Sequence, residues 1–257
     1  MLVVAAHSAF EGDEAAQADA SVEFIADELY RAMERERMLA VERAMKSVLE
    51  ELHRTRLRCG QLVDSLHRTH TQSEGSLPLA GLVRCFNRTV ICLELVDYYH
   101  HIWSKPYKFE TDAHRAQTIA QNSERVIDAA RTMFVFCMSA VEYAARESAI
   151  RHKDILPLEQ GKRHYVGFIM GKSHAVGLID RAAYESWDGL TEFRNCVVHN
   201  NGVAEQSREV VLSNGLTITM KAGEMVQGNL LSFPKAVYWV VDSFGVWCDA
   251  FLKRVAA

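Results

Sequence analysis

The interval 14–71 contains no proline and a single glycine, Gly60, and this lack of helix breakers constrains the fold more than any other feature. Apolar side chains recur in it at steps that alternate between three and four residues, namely at Val22, Ile25, Leu29 and Met33 and then at Met38, Val41, Met45, Val48 and Leu52. This spacing places them along one side of an α-helix. The sequence therefore predicts one or two long amphipathic helices, which we interpret as an N-terminal helical hairpin.

The composition of the whole chain favours helices as well. Only 14 of the 257 residues are glycine and 4 are proline, which is below the roughly 12% that these two residues contribute to average proteins. A β-sandwich or β-barrel is therefore not expected as the main architecture. Further helices are predicted at about 82–103, 111–154, 180–199 and 235–255, and a short helix or irregular segment is predicted at 158–178.

A linker is predicted at 71–78, where turn-forming residues predominate. It would separate an acidic arm and helical hairpin (1–75) from a helical domain (82–257). Within the second domain, a Ser-Asn-Gly turn at 213–215 lies between two β-forming runs. The prediction is therefore a mainly α protein, a helical bundle with a small β insertion at about 208–231 that is either a hairpin or a three-stranded meander.

Cysteine usage and hydropathy indicate an intracellular, cytoplasmic protein. The six cysteines are spread singly, without a Cys-x-x-Cys pair, and are predicted to be reduced core residues. The longest apolar run, 133–138, is far too short to span a membrane, and the N-terminus lacks the basic region of a signal peptide. No membrane partner is expected.

Charge alone identifies no partner. The first 30 residues hold seven acids and no Lys or Arg, so that the net charge of −4 leaves a mildly basic remainder. Such a remainder is compatible with a polyanionic partner but lacks the large positive excess typical of nucleic-acid-binding proteins. No metal site is predicted either, because the His100-His101 pair has no acidic or cysteine partner at a recognised spacing.

The segment 187–202 carries the most specific pattern in the chain. Arg194 is followed directly by Asn195 and, at the end of a predicted helix, by His199, after which an Asn-Asn-Gly run terminates the helix. A second pair at similar spacing, Arg146 and His152, lacks both the asparagine and the helix stop. The first pattern resembles the signature of the HEPN superfamily, Arg-x(4–6)-His at the end of a helix in an α-helical domain. The resemblance covers about residues 82–255.

The resemblance implies a metal-independent endoribonuclease without a cofactor. Such an enzyme cleaves RNA by attack of the 2′-hydroxyl and leaves 2′,3′-cyclic phosphate ends, typically in defence, toxin–antitoxin or stress-response systems. Histidine titrates near neutrality and can act as base or acid, while arginine can hold a phosphate with two directed donors. His199 and Arg194 would take these roles, and Asn195 would orient the histidine or donate to the phosphate.

The resemblance also implies a homodimer with a composite active site, and an antitoxin or regulatory protein as a further partner. Five residues along an ideal helix place Arg194 and His199 about 140° apart. Either the helix loosens before His199, or the groove is shared between two subunits. Two residues are predicted to support the site, Glu142 and Asn200, and a basic set is predicted to contact RNA phosphates, namely Arg146, Arg151, Lys153, Lys162 and Arg163.

A non-catalytic helical module that binds RNA or protein is the alternative. In that case Arg194 would be a structural arginine paired with Glu192 or Glu142, and His199 would be a histidine at a helix C-terminus, which the helix dipole favours. The two interpretations differ in placement. Catalysis requires both side chains to be accessible in a cleft, whereas the alternative predicts that they are buried and paired within one subunit.

Overall fold

The computed structural model describes residues 2–70, 72–103, 111–158, 164–199, 202–226 and 229–257, and these form a mainly helical protein with one small antiparallel sheet. The elements in chain order are α1 (Leu2–Thr69), α2 (Gln72–Trp103), α3 (Asp112–Arg151), α4 (Val166–Ala175), α5 (Arg181–His199), β1 (Arg208–Val211), β2 (Thr217–Met220) and α6 (Ser232–Val255). The predicted mainly α fold with a small β-hairpin is confirmed. No described helix contains a stretch long and apolar enough to cross a membrane.

The first two helices differ from the prediction in where the chain reverses. Helix α1 is uninterrupted, so no hairpin forms within 14–71; the chain turns after Thr69, and α2 packs back against α1. The predicted linker 71–78 was also wrong in extent, because α2 begins at Gln72 and contains Pro78. Proline removes one helical hydrogen bond, but Pro78 is buried, and tertiary packing of this kind overrides low helix propensity.

One hydrophobic core unites the first helix with the rest of the chain. Buried apolar side chains from α1, α2, α3, α5 and α6 belong to the same cluster, which includes Leu52, Leu82, Phe134, Trp187 and Phe244. The predicted domain boundary near residue 75 therefore does not separate two cores. Helix α6 lies directly on α1, because a Cβ atom added at Gly245 would come within 2.7 Å of Leu62.

Three buried tryptophans fix the positions of α5 and α6. Each indole N–H donates to a serine hydroxyl on another element, and the pairs are Trp187–Ser243 at 2.8 Å, Trp239–Ser213 at 3.1 Å and Trp247–Ser173 at 2.9 Å. The large rings exclude water from the core, and the hydrogen bonds satisfy their polar atoms. These contacts hold the site-bearing helix α5 against α6.

The ends of the helices follow local sequence signals in part. The Thr111 hydroxyl accepts from the His114 N–H at 3.1 Å, which confirms the predicted start of α3. Helix α3 then continues through 122–123 without a break. Helix α6 begins at Ser232, and Leu231 occupies the N-cap position. The Ser232 hydroxyl accepts a hydrogen bond from the Asn229 N–H, which lies before the helix.

The β insertion is a two-stranded hairpin. Residues 208–211 pair with 217–220 in antiparallel register, and Gly215 adopts φ +79° in the connecting turn. A third strand is not formed by the described part of 224–230; Met225 makes only an isolated bridge with Val203. Val210 points into the core, where it contacts α5 at Gly189. The hairpin thus packs against the helix that carries the predicted site.

Glycine-to-alanine substitutions at two positions test how closely α5 packs against β1. A Cβ at Gly189 would lie 2.4 Å from Val210 Cγ2, whereas a Cβ at Gly60 meets nothing within 4 Å. We expect Gly189→Ala to lower the free energy of unfolding by about 1–3 kcal/mol through overpacking. Gly60→Ala is expected to raise it by about 0.5–1 kcal/mol, because alanine is the better helix former. Urea denaturation measures both, and equal effects would contradict the close α5–β1 contact.

The six cysteines are all free and buried, as predicted from their placement. Burial raises the pKa of Cys92 to about 12 and raises the pKa of Cys248 well above its ordinary value. A hydrogen bond to Cys137, together with burial, raises the pKa of Cys85. These thiols therefore stay protonated at neutral pH, and a buried thiol is a poor nucleophile.

The native protein is accordingly expected to be inert to a thiol reagent at pH 8, and the unfolded protein is expected to react at all six thiols. Unfolded thiols ionise near pH 8.5, while folded thiols with a raised pKa, such as Cys92 and Cys248, remain protonated. The stability that these thiols contribute is therefore fully retained below that pH and falls above it, by up to about 1.4 kcal/mol per pH unit for each of them. Rapid labelling of the folded protein would contradict the burial.

Candidate functional site

An open cleft of about 540 Å³ lies between α5, the segment before α4 and the start of the hairpin. The three residues predicted to be catalytic, Arg194, Asn195 and His199, all line this cleft. Asn195 and His199 are exposed, and Arg194 is partly buried. The remaining lining residues are Tyr165, Asp188, Thr191, Glu192, Cys196, Glu205, Gln206 and Arg208.

Helix α5 presents one polar face to the cleft and one apolar face to the core. Asp188, Glu192, Asn195 and His199 follow one another at steps of four, three and four residues, which places them on one side of the helix. The opposite side buries Trp187, Leu190 and Phe193. The helix does not loosen before His199, and the Gly202 N–H donates to the Cys196 carbonyl at 2.9 Å beyond its end.

The Arg194 guanidinium carries a charge that no described carboxylate neutralises. Its Nη1 donates to Asn195 Oδ1 at 3.2 Å, and it forms no ion pair within the part of the chain that the structure covers. The two acids considered as structural partners bind elsewhere: Glu192 accepts from Arg208, and Glu142 accepts from the Val166 N–H. The pairing that the non-catalytic interpretation requires is therefore not formed.

Arg208 joins the hairpin to α5 and offsets two acids of the cleft. Its Nη1 donates to Asp188 Oδ2 at 2.8 Å and to Glu192 Oε2 at 3.1 Å, and its Nη2 donates to the Glu185 carbonyl at 3.3 Å. Burial would lower the pKa of Arg208, but these carboxylates outweigh burial and raise it. A polyanion entering the cleft thus meets Asp188 and Glu192 already paired with a cation.

The predicted support residues are not brought to the cleft. Glu142 lies on α3 and accepts from the Val166 N–H at 3.2 Å, so it caps the start of α4. Arg146 pairs with Glu147 at 3.4 Å, and Arg151 and Lys153 are exposed at the end of α3. None of these four lines the cleft. Three further predicted residues lie outside the described parts of the chain, namely Asn200, Lys162 and Arg163.

Sequence reasoning missed several lining residues. The polar spacing of Asp188, Glu192 and Asn195 on one helix face is a signal that could have found the two acids. Arg208 and Tyr165 come from other elements, and no local pattern links them to the Arg194 segment. Cys196 also lines the cleft, but burial raises its pKa and keeps the thiol protonated.

Among the described residues, no group of three or more His, Cys, Asp or Glu side chains could hold a metal ion. Comparisons with protein-family models, with curated proteins and with solved structures give no match for this chain.

Proposed function

We propose that this protein is a metal-independent endoribonuclease of the HEPN type, with Arg194, Asn195 and His199 as its active-site residues. The observation that carries the proposal is that these three side chains line one open cleft, while Arg194 has no carboxylate partner among the described residues. An arginine that is free to receive a phosphate, next to an exposed histidine, provides the two functions that RNA transesterification needs.

In the proposed reaction, a histidine takes the proton of the RNA 2′-hydroxyl, and that oxygen attacks the adjacent phosphorus. The bond from phosphorus to the 5′-oxygen breaks, and a protonated histidine returns a proton to the leaving oxygen. The products are a 2′,3′-cyclic phosphate and a 5′-hydroxyl. Arg194 stabilises the negative charge that builds on the non-bridging oxygens, because it lines the cleft and pairs with no described carboxylate.

A homodimer follows from the need for both an acid and a base. His199 is the one histidine among the described residues that line the cleft. A second copy of the chain, related by two-fold symmetry, would bring a second His199 to a shared groove. Uncontrolled RNA cleavage would harm a cell, and we therefore include an antitoxin or regulatory protein, and a defence or stress-response setting, in the proposal.

The test is incubation of the purified protein with mixed cellular RNA in EDTA, followed by chemical mapping of the new ends, with light scattering to measure the oligomeric state. We expect cleavage that yields cyclic phosphate and 5′-hydroxyl ends, and a dimer at the concentrations that cleave. RNA that binds but stays intact under these conditions would favour the non-catalytic RNA-binding module.

A further inference from the structure

Helices α2 and α3 form a second groove on the protein surface, separate from the cleft. This α2/α3 groove has a volume of about 450 Å³ and is lined by Arg84, Asn87, Arg88, Ile91, Phe136, Ser139 and Ala140. A neighbouring depression of about 330 Å³ shares Arg88, Ile91 and Phe136 with it and extends it toward Leu95 and Arg125. The two together form a continuous channel along the helix pair.

Arginines in this groove lie on exposed aromatic rings. The Arg88 guanidinium carbon is 4.3 Å from the Phe136 ring centroid, and that of Arg84 is 4.8 Å from the Tyr143 ring. Phe136 is 46% exposed and Tyr143 is 39% exposed. Each ring orients its guanidinium and covers one plane of it. Arg84 and Arg88 are themselves exposed, so both the cations and the rings are accessible to a ligand.

The groove has positive charge without local compensation. Neither Arg84 nor Arg88 forms an ion pair with any residue the structure describes, and the described lining of the groove contains no carboxylate. The neighbouring depression is lined by one carboxylate, that of Asp128, which pairs with Arg131 at 2.6 Å. Glu147 on α3 pairs with Arg146. The cleft, in contrast, holds three acids among its lining residues.

We infer that the α2/α3 groove binds single-stranded nucleic acid, with phosphates on Arg84 and Arg88 and unstacked bases on Phe136 and Tyr143. Single strands are typically bound by positive channels that carry aromatic platforms, because each base offers a face for stacking. A duplex keeps its bases stacked and cannot use these rings. Arg84 and Arg88 lie four residues apart, about 6 Å along the axis of α2. Their two uncompensated charges favour a polyanion over an apolar protein surface.

Contacts on α3 connect this groove to the cleft. Glu142 and Arg146 are neighbours on one side of α3, at a spacing of four residues, and Arg146 lies 5.7 Å from the Tyr143 ring. Glu142 in turn accepts from the Val166 N–H, and the preceding residue, Tyr165, lines the cleft. Binding in the groove does not depend on cleavage in the cleft.

The test is binding of fluorescent single-stranded RNA, single-stranded DNA and the matched duplex to full-length His199→Ala protein, followed by anisotropy. We expect the duplex to bind at least tenfold more weakly than either single strand. Phe136→Ala and Tyr143→Ala should each weaken single-strand binding about tenfold, and Tyr143→Phe should retain it. Equal affinity for RNA and DNA, or a preference for RNA through its 2′-hydroxyl, would both support the inference.

Variants that remove positive charge distinguish binding in this groove from general electrostatic attraction to the protein surface. Arg84→Gln with Arg88→Gln should weaken binding at least tenfold and reduce the slope of log affinity against log salt by about 1.4. Arg181→Gln with Lys253→Gln removes the same charge from exposed sites elsewhere and should have little effect. Unchanged binding in the groove variants, or a duplex bound as tightly as a single strand, would overturn the inference. Loss of self-association with unchanged RNA binding would identify a protein interface instead.

Discussion

Replacement of His199 by alanine is expected to reduce RNA cleavage by about a hundred- to ten-thousand-fold, which is the usual contribution of a positioned acid or base. His199 is exposed in the cleft at the last residue of α5, so its replacement removes the imidazole without disturbing the core. The quantity to measure is the rate of cleavage in EDTA under single-turnover conditions, with circular dichroism to verify the fold.

Substitutions of Arg194 distinguish the effect of its positive charge from the effect of the arrangement of its hydrogen-bond donors. Arg194→Ala should reduce cleavage by about a hundred- to a thousand-fold, similar to the loss of a charge-stabilising donor. Arg194→Lys keeps the charge but loses the paired donors of the guanidinium and should recover only part of the activity. An equal rate for arginine and lysine would mean that Arg194 acts only as a distant charge.

Matched controls come from exposed residues outside the cleft. His53 lies on the exposed side of α1, and Arg181 lies at the start of α5 in an exposed ion pair with Glu185. His53→Ala and Arg181→Ala should cleave at the rate of the unsubstituted protein. Cleavage that survives both His199→Ala and Arg194→Ala would reject the proposed site, even if the protein proved to be a nuclease.

Trp187→Ala is expected to lower the free energy of unfolding by about 3–5 kcal/mol, because a large buried ring leaves a cavity behind it. Trp187 is fully buried on α5, packs at 5.1 Å from the Trp239 ring and donates to the Ser243 hydroxyl. For a chain of this length the loss corresponds to a decrease of roughly 6–20 °C in melting temperature. Thermal and urea denaturation both measure it.

Two variants calibrate the Trp187 result. Trp187→Phe keeps most of the ring but removes the N–H donor to Ser243, so an intermediate loss is expected. Val246→Ala truncates a side chain of α6 that is 57% exposed, and its effect should stay within about 0.5 kcal/mol. If Trp187→Ala were as mild as Val246→Ala, the close packing of α5 on α6 would be disproved.

Helix positions were predictable where a local signal decides them. The capping threonine before α3 and the turn formers at 213–215 each act within a few residues, and both elements form as predicted. The path of 72–78 was not predictable in this way, because burial of Pro78 against distant helices decides it. The spatial order of α1 and α6 likewise depends on packing between the two ends of the chain.

For the candidate site, too, residues on one helix were predictable, whereas residues that reach the cleft through tertiary packing were not. Arg194, Asn195 and His199 share one helix, so the sequence predicts that all three lie at the same end of α5. The 140° between Arg194 and His199 on an ideal helix did not predict that both line one cleft of a single chain. Arg208 reaches the cleft from β1, and its pairing with Asp188 arises only when the hairpin packs on α5. Glu142 was expected near Arg194, but the start of α4 provides it with a backbone N–H donor.

Because α1 packs against α6, α1 cannot complete its packing until α6 has been synthesised. Arg58 donates to Asp242, 184 residues later in the chain, and a ribosome adds about 5–20 residues per second. The part of α1 that packs against α6 therefore stays uncovered by it for roughly 10 to 40 s during synthesis, whereas α2 can pack on α1 earlier. A chain that ends before α6 would lack Ser243, the partner of Trp187 behind the cleft. Prematurely terminated products would thus expose apolar surface and be targets for chaperones and proteases.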